Sequence, residues 1–189
     1  VQIRTSVRGK HVFVIGSIAP PRVNDRFMEM VLVCQASDLA HAEKVTAVIP
    51  HFGYARQDRR TGYHEYLTPI SAAMIAEMLT LKATSVITVE LHATQIQGFF
   101  KCPTDNLHAG GIALNYFRKR EFLAPVTFVS PDIGGAERAR AIAKRFAPDG
   151  STPIAILDKR RPAPNLSEIL HVIGDVEGKV ISIEQKGNQ

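Results

Sequence analysis

The chain has 189 residues, 45% hydrophobic and 22% charged, an ordinary globular balance large enough for one generous domain or two small ones. No apolar run approaches bilayer length, which excludes an integral membrane protein, and two cysteines, Cys34 and Cys102, exclude a disulfide framework or a cysteine-type zinc site and fit a reducing, cytoplasmic setting. The formal charge of +5 suits nucleic acid or small phosphorylated ligands, but the cations fall in short clusters, Arg59–Arg60 and Lys159–Arg160–Arg161, so small anionic ligands are the better reading and nucleic acid is not expected.

The opening "VQIRTSVRGKHVFVIG" has no signal-peptide layout; it lacks Met and begins in strand-like sequence, so further N-terminal residues are expected. Apolar runs then recur: "HVFVIG" (11–16), "VTAVIP" (45–50), "TSVITVEL" (84–91), "VTFVS" (126–130) and "PIAILD" (153–158). They are β-branched and apolar on both faces, as parallel strands covered on both sides should be. Helical patterns sit between them. Residues 24–40 start at an Asn24 or Asp25 cap, and 68–81 start at Thr68 with Pro69 at the first helical position. Residues 109–121 and 135–146 complete the set. The alternation predicts an α/β fold with mostly parallel sheets, and the interruption "DNLHAGG" places a boundary near 106–111. In such sheets ligands collect beyond the carboxyl ends of the strands, so the strand-end loops are the places for chemistry.

Four of these loops stand out. "HFGYARQDRR" (51–60) gathers Phe52 and Tyr54, which can stack on a base, with Arg56, Gln57 and Asp58, which can bond a base edge or phosphates; a solvated loop is the plain alternative. "ELHATQIQGFF" (90–100) puts Glu90 and His92 two residues apart, on one side of an extended backbone, with Asp105 nearby in sequence; all three can ligate a metal, or His92 can be structural, while Phe99 and Phe100 read as core. In "SPDIGG" (130–135), Asp132 can hold a cation over an anion at the following helix start, or simply cap that turn. In "ILDKRRPAPN" (156–165), three consecutive cations repel one another, which suits a mobile loop closing on phosphate charge; an exposed basic loop is the alternative.

"VIPHFGYARQDRR", "ELHATQIQGFF", "SPDIGGAERARAIAKR", "LDKRRP" and "IGDVEGK" closely resemble ribose-phosphate pyrophosphokinase, from the first residues to about Lys179. The resemblance implies two phosphoribosyltransferase-like domains, 1–108 and 109–189, the second partial. It implies transfer of the diphosphoryl group of MgATP to the 1-hydroxyl of ribose 5-phosphate, giving phosphoribosyl diphosphate and AMP, with Mg2+ as cofactor and homodimers assembling to hexamers. Arg56 and Gln57 match the family's ATP-contacting pair, His92 and Asp132 its metal-binding residues, and Lys159 and Arg161 its catalytic lysine and arginine. Glu90 stands where the family usually has Asp. The family's acidic ribose-phosphate loop, expected after "GDVEGK" and a strand, is replaced by "VISIEQKGNQ". A non-catalytic synthetase-associated regulatory subunit is the alternative, and retention of Lys159 and Arg161 counts against it.

Overall fold

A computed structural model describes residues 1–60, 68–160 and 168–183. The chain divides into two compact units, Val1–His108 and the residues from Ala109 onward. In the first unit β1 (His11–Ile15), β2 (Lys44–Ile49), β3 (Ser85–Val89) and β4 (Thr104–Leu107) form one parallel sheet in the order β1-β2-β3-β4. The connections are α1 (Val23–Leu39), α2 (Ser71–Thr80) and a 3₁₀ helix at Thr94–Phe99. Sequential strand order with right-handed crossovers puts the connections on one face. Val14, Ala47 and Val86 stand in register across that face and pack with Phe27, Met30 and Cys34 of α1 and Ala72, Ile75, Ala76 and Leu79 of α2. Phe13 and Ile15, on the other side of β1, are exposed.

Two helix starts differ from the sequence expectation. Helix α1 begins at Val23 after Arg22, with no side-chain cap, because the Asn24 side chain is taken by Tyr54. Helix α2 begins at Ser71 rather than near Thr68; the N–H of Ala72 in its first turn is satisfied by the carbonyl of Gln57, 3.2 Å away. Strand β4 has no apolar run to announce it.

The second unit contains α3 (Gly110–Arg118), β5 (Val126–Ser130), α4 (Ala136–Phe146), β6 (Ile154–Arg160), β7 (Glu168–Ile173) and β8 (Val180–Ile183). Its sheet runs β7-β6-β5-β8; β5 is parallel to both neighbours, and β6 and β7 are antiparallel. Phe128 of β5 meets Phe117 and Phe146 edge-on, with centroids 5.6 and 5.5 Å apart, and Val126, Ile142 and Ala143 close the cluster. The architecture is thus α/β with mostly parallel sheets, as expected. No helix among the described residues is long and apolar enough to cross a membrane.

Candidate active site

Parallel strands send their carboxyl ends to one edge of a sheet, and in the first unit the loops after neighbouring β2 and β3 emerge there side by side. The loop after β2 is anchored from below. Phe52 is fully buried, its ring 5.5 Å from that of Phe100. The expected stacking role of Phe52 is therefore corrected: a ring sealed in the core offers no face to a base. Gly53 follows because a Cβ there would stand 2.7 Å from the Ile18 carbonyl oxygen. Tyr54 is the exposed aromatic. Its φ of +63° is left-handed, a conformation that costs a bulky residue about 1–3 kcal/mol and persists only where its surroundings enforce it. Its hydroxyl donates to Asn24 Oδ1 at the start of α1.

The reversal at Tyr54 brings Arg56 and Gln57 to the surface, both exposed. The Gln57 N–H donates to the Tyr54 carbonyl at 3.0 Å, and its own carbonyl accepts from Ala72. Asp58 accepts from Gln95 Nε2 at 3.2 Å, which ties this loop to the one after β3. Two side chains of the sort that bond a base or phosphate thus sit on a loop fixed at several points.

The loop after β3 departs from its expectation. Glu90 takes φ +50°, so the extended backbone ends before it, and the alternation that put Glu90 and His92 on one side does not apply. Leu91 between them is buried, His92 is exposed, and the Glu90 carboxylate lies 3.5 Å from His108 Nδ1. Asn106 shapes this turn: its Oδ1 accepts from the Leu91 N–H at 3.1 Å and the Thr88 hydroxyl at 3.3 Å. Sequence reasoning passed over Asn106; the only signal was an amide in a polar stretch just ahead of "LHAGG". Asp105 pairs in register with Ile87, which sets it about 10 Å back along the sheet from Glu90 at the usual rise per residue. It does not join the turn, which corrects its place in the expected metal set. Among the described residues no group of three or more His, Cys, Asp or Glu side chains could hold a metal ion. Magnesium bound with a nucleotide needs little more than one or two protein contacts, with water and phosphate oxygens filling the rest. A single imidazole such as His92, or a single carboxylate such as Asp132, fits that demand.

In the second unit Asp132 follows β5. Its Oδ1 accepts from the Gly135 N–H at 3.0 Å, capping the 3₁₀ turn Ile133–Gly135 that leads into α4, while the Ser130 hydroxyl donates to its carbonyl at 2.7 Å. Gly135 is required by close approach, since a Cβ would stand 2.4 Å from Ser130 Oγ. Lys159 is not in a loop. Strand β6 continues through Arg160 and forms an antiparallel ladder with β7 that shifts register between Asp158 and Lys159. Lys159 therefore rides on a two-stranded ribbon next to a bulge, a device that re-aims side chains. The ladder to β7 keeps Lys159 in a strand where sequence reading expected a charged loop over 156–165. Arg161 lies outside the described residues.

Fold and strand-end loops together define an α/β protein with exposed Arg56 and Gln57 side chains at the carboxyl edge of a parallel sheet. Residues 1–82 match the family described as the N-terminal domain of ribose phosphate pyrophosphokinase. Ribose-phosphate pyrophosphokinase of Buchnera aphidicola subsp. Schizaphis graminum is 49% identical over 180 residues, 95% of this chain and 55% of that protein. The protein of the same name from Bradyrhizobium diazoefficiens is 45% identical over 179 residues, 94% of this chain and 54% of its own. The crystal structure of phosphoribosylpyrophosphate synthetase from Mycobacterium smegmatis superposes with a TM-score of 0.78 at 33% identity, covering 96% of this chain and 57% of that one. By sequence and by fold, the chain is a relative of the ribose-phosphate pyrophosphokinases. It spans about half the length of the curated relatives it matches.

Proposed function

We propose that the chain carries the nucleotide side of a ribose-phosphate diphosphokinase, an enzyme that moves the diphosphoryl group of MgATP to the 1-hydroxyl of ribose 5-phosphate. The observation that carries this reading is the braced loop after β2, which presents Arg56 and Gln57 at the carboxyl edge of a parallel sheet beside the loop bearing His92. The similarity to proteins named for this reaction supports it. In the step, the ribose 1-oxygen bonds to the β-phosphorus, the bond from that phosphorus to the α-phosphate oxygen breaks, AMP leaves with that oxygen, and the hydroxyl proton is released. Little covalent work falls to the protein, so catalysis is positioning and charge stabilisation. Arg56 and Gln57 hold the nucleotide. His92 in the first unit and Asp132 in the second are each candidate Mg2+ contacts, direct or through water, and an ion bound with the nucleotide would supply charge neutralisation on the phosphate oxygens. Lys159, on its ribbon, and Arg161 meet the charge that develops as AMP leaves. Assembly of homodimers into hexamers in the cytoplasm belongs to the same reading.

The test contrasts two variants of the full-length protein. Arg56→Ala should weaken MgATP binding about tenfold or more, the scale of a charge-assisted hydrogen bond, and leave ribose 5-phosphate binding nearly unchanged. Lys159→Ala should lower kcat by about 10²-fold or more with a much smaller change in KM for ATP. Unchanged ATP affinity in the first, together with near-normal kcat in the second, would sink the proposal.

A further inference from the structure

The residues around Arg56 and Gln57 have a feature that the reading above leaves unused. Two residues before Arg56, the Tyr54 hydroxyl donates to Asn24 of α1. One residue after Gln57, Asp58 accepts from Gln95 of the 3₁₀ helix at 3.2 Å. The pair is thus flanked by side-chain bonds to two different elements, one on each side of the loop. The backbone between them is independently constrained: Tyr54 is left-handed at φ +63°, and the Gln57 carbonyl caps the first turn of α2. A left-handed tyrosine tends to relax toward ordinary conformations unless something holds its ring, and the bond to Asn24 is that hold. Asp58 is likewise turned toward Gln95, so its carboxylate anchors the loop.

We infer that Tyr54 and Gln95 are positioning residues for nucleotide binding: two side-chain struts, Tyr54 to Asn24 and Gln95 to Asp58, hold the loop so that Arg56 and Gln57 meet the nucleotide without reorganising. Asp58 acts through Gln95 as part of the second strut. This rests on Arg56 and Gln57 being the nucleotide contacts. Binding to a braced loop avoids the ordering cost that a slack loop would incur on each encounter, so the struts act on nucleotide affinity and not on the chemical step. The two loops also become one unit. Because Gln95 lies three residues after His92, the second strut fixes the His92 loop relative to the Arg56 loop.

The experiment measures KM for ATP, KM for ribose 5-phosphate, kcat and thermal midpoint on the full-length protein for Tyr54→Phe, Asn24→Ala, Gln95→Ala and Gln95→Glu. Each of the first three should raise KM for ATP about two- to tenfold, the effect of one net hydrogen bond, with ribose 5-phosphate KM and kcat within about twofold. Gln95→Glu should be worse than Gln95→Ala, because it sets a second carboxylate against Asp58. Asn24→Ala on top of Tyr54→Phe should add nothing, since both remove the same bond. A merely structural role gives a different pattern: a lower thermal midpoint with both KM values rising together, which overturns the inference. So does an unchanged ATP KM in either strut. Asn24 and Gln95 are exposed, so their variants decide the matter even where Tyr54→Phe fails to fold. Arg56→Ala separates the two layers. Weakened nucleotide binding there with silent struts removes only this inference, whereas unchanged binding there removes the functional reading beneath it.

Discussion

The two units solve the same problem with unequal resources. The first buries a continuous core between sheet and helices, from Val14, Val45, Ala47 and Val86 on the strands to Phe27, Met30, Cys34, Ile75 and Leu79 on the helices, and extends it under the carboxyl edge of the sheet through Phe52, Ile96 and Phe100. The second gathers Val126, Phe128, Ile142 and Ala143 beneath a few partly covered phenylalanines, and every residue of β7 is exposed. The difference matters for the site. In the first unit the strand-end loops are rooted in core residues, so polar side chains at the rim inherit a rigid base. In the second, Lys159 stands on a ribbon with little packed behind its outer strand.

The largest test of that contrast is a pair of core truncations. Phe52→Ala should cost the first unit about 3–5 kcal/mol in denaturant unfolding, because a tightly packed surround cannot collapse into the hole. Phe128→Ala should fall at the lower end of that range, since a thinner cluster relaxes more readily. The reverse order would break the comparison. Next come the two tight glycines. Gly53→Ala drives a methyl against the Ile18 backbone oxygen, which cannot rotate away, and should cost about 1–3 kcal/mol. Gly135→Ala meets the Ser130 hydroxyl, which can turn aside at the loss of one hydrogen bond, about 1 kcal/mol. Equal costs, measured by the same unfolding assay, would mean that the rim of the first unit is no more rigid than that of the second.

The smallest effect concerns the cysteines within the first unit. Burial pushes the Cys34 thiol up to about 11, and pushes Cys102, less deeply placed, up in the same direction. Alkylation at mildly alkaline pH should therefore modify Cys102 well before Cys34. A raised folded value means that the native state holds its proton longer than the unfolded chain does. The stabilisation from Cys34 is complete below the unfolded value near 9.0 and is lost as pH rises through about 11. A Cys34→Ala variant should flatten the decline of stability over that window, and an identical decline in both proteins would refute the assignment.

The strands β1, β2, β3, β5 and β6 were legible as short β-branched apolar runs, but the expected cover on both faces fails for β1, whose Phe13 and Ile15 are exposed. Strand β4, "TDNL", was not legible, because it exists through its ladder to β3 rather than through its own residues. The loops were legible as places and less so as geometry. Composition put Arg56 and Gln57 at a strand end, yet two residues earlier it could not say which aromatic turns inward. That depends on the left-handed turn at Tyr54 and on the space beneath Gly53, both tertiary facts. Capping failed for a related reason: Asn24 is a good cap by type, but a partner thirty residues away claims its side chain. Asp132 illustrates the opposite case, where a local motif, a carboxylate three residues before a helix-opening glycine, behaves as local rules require.

The sequential order of the first sheet also governs how the protein is made. Each strand pairs with the one synthesised just before it, as Val12 with Val45 and Thr46 with Ser85, so the sheet can grow at one edge while the chain is still emerging from the ribosome. The second unit has no such schedule. Strand β5 takes β8 as a neighbour, with Thr127 beside Ile181, and it must wait for all of α4, β6 and β7 before that edge is closed. During that interval its apolar edge is open to other nascent chains, which leaves the second unit more exposed to misassembly than the first.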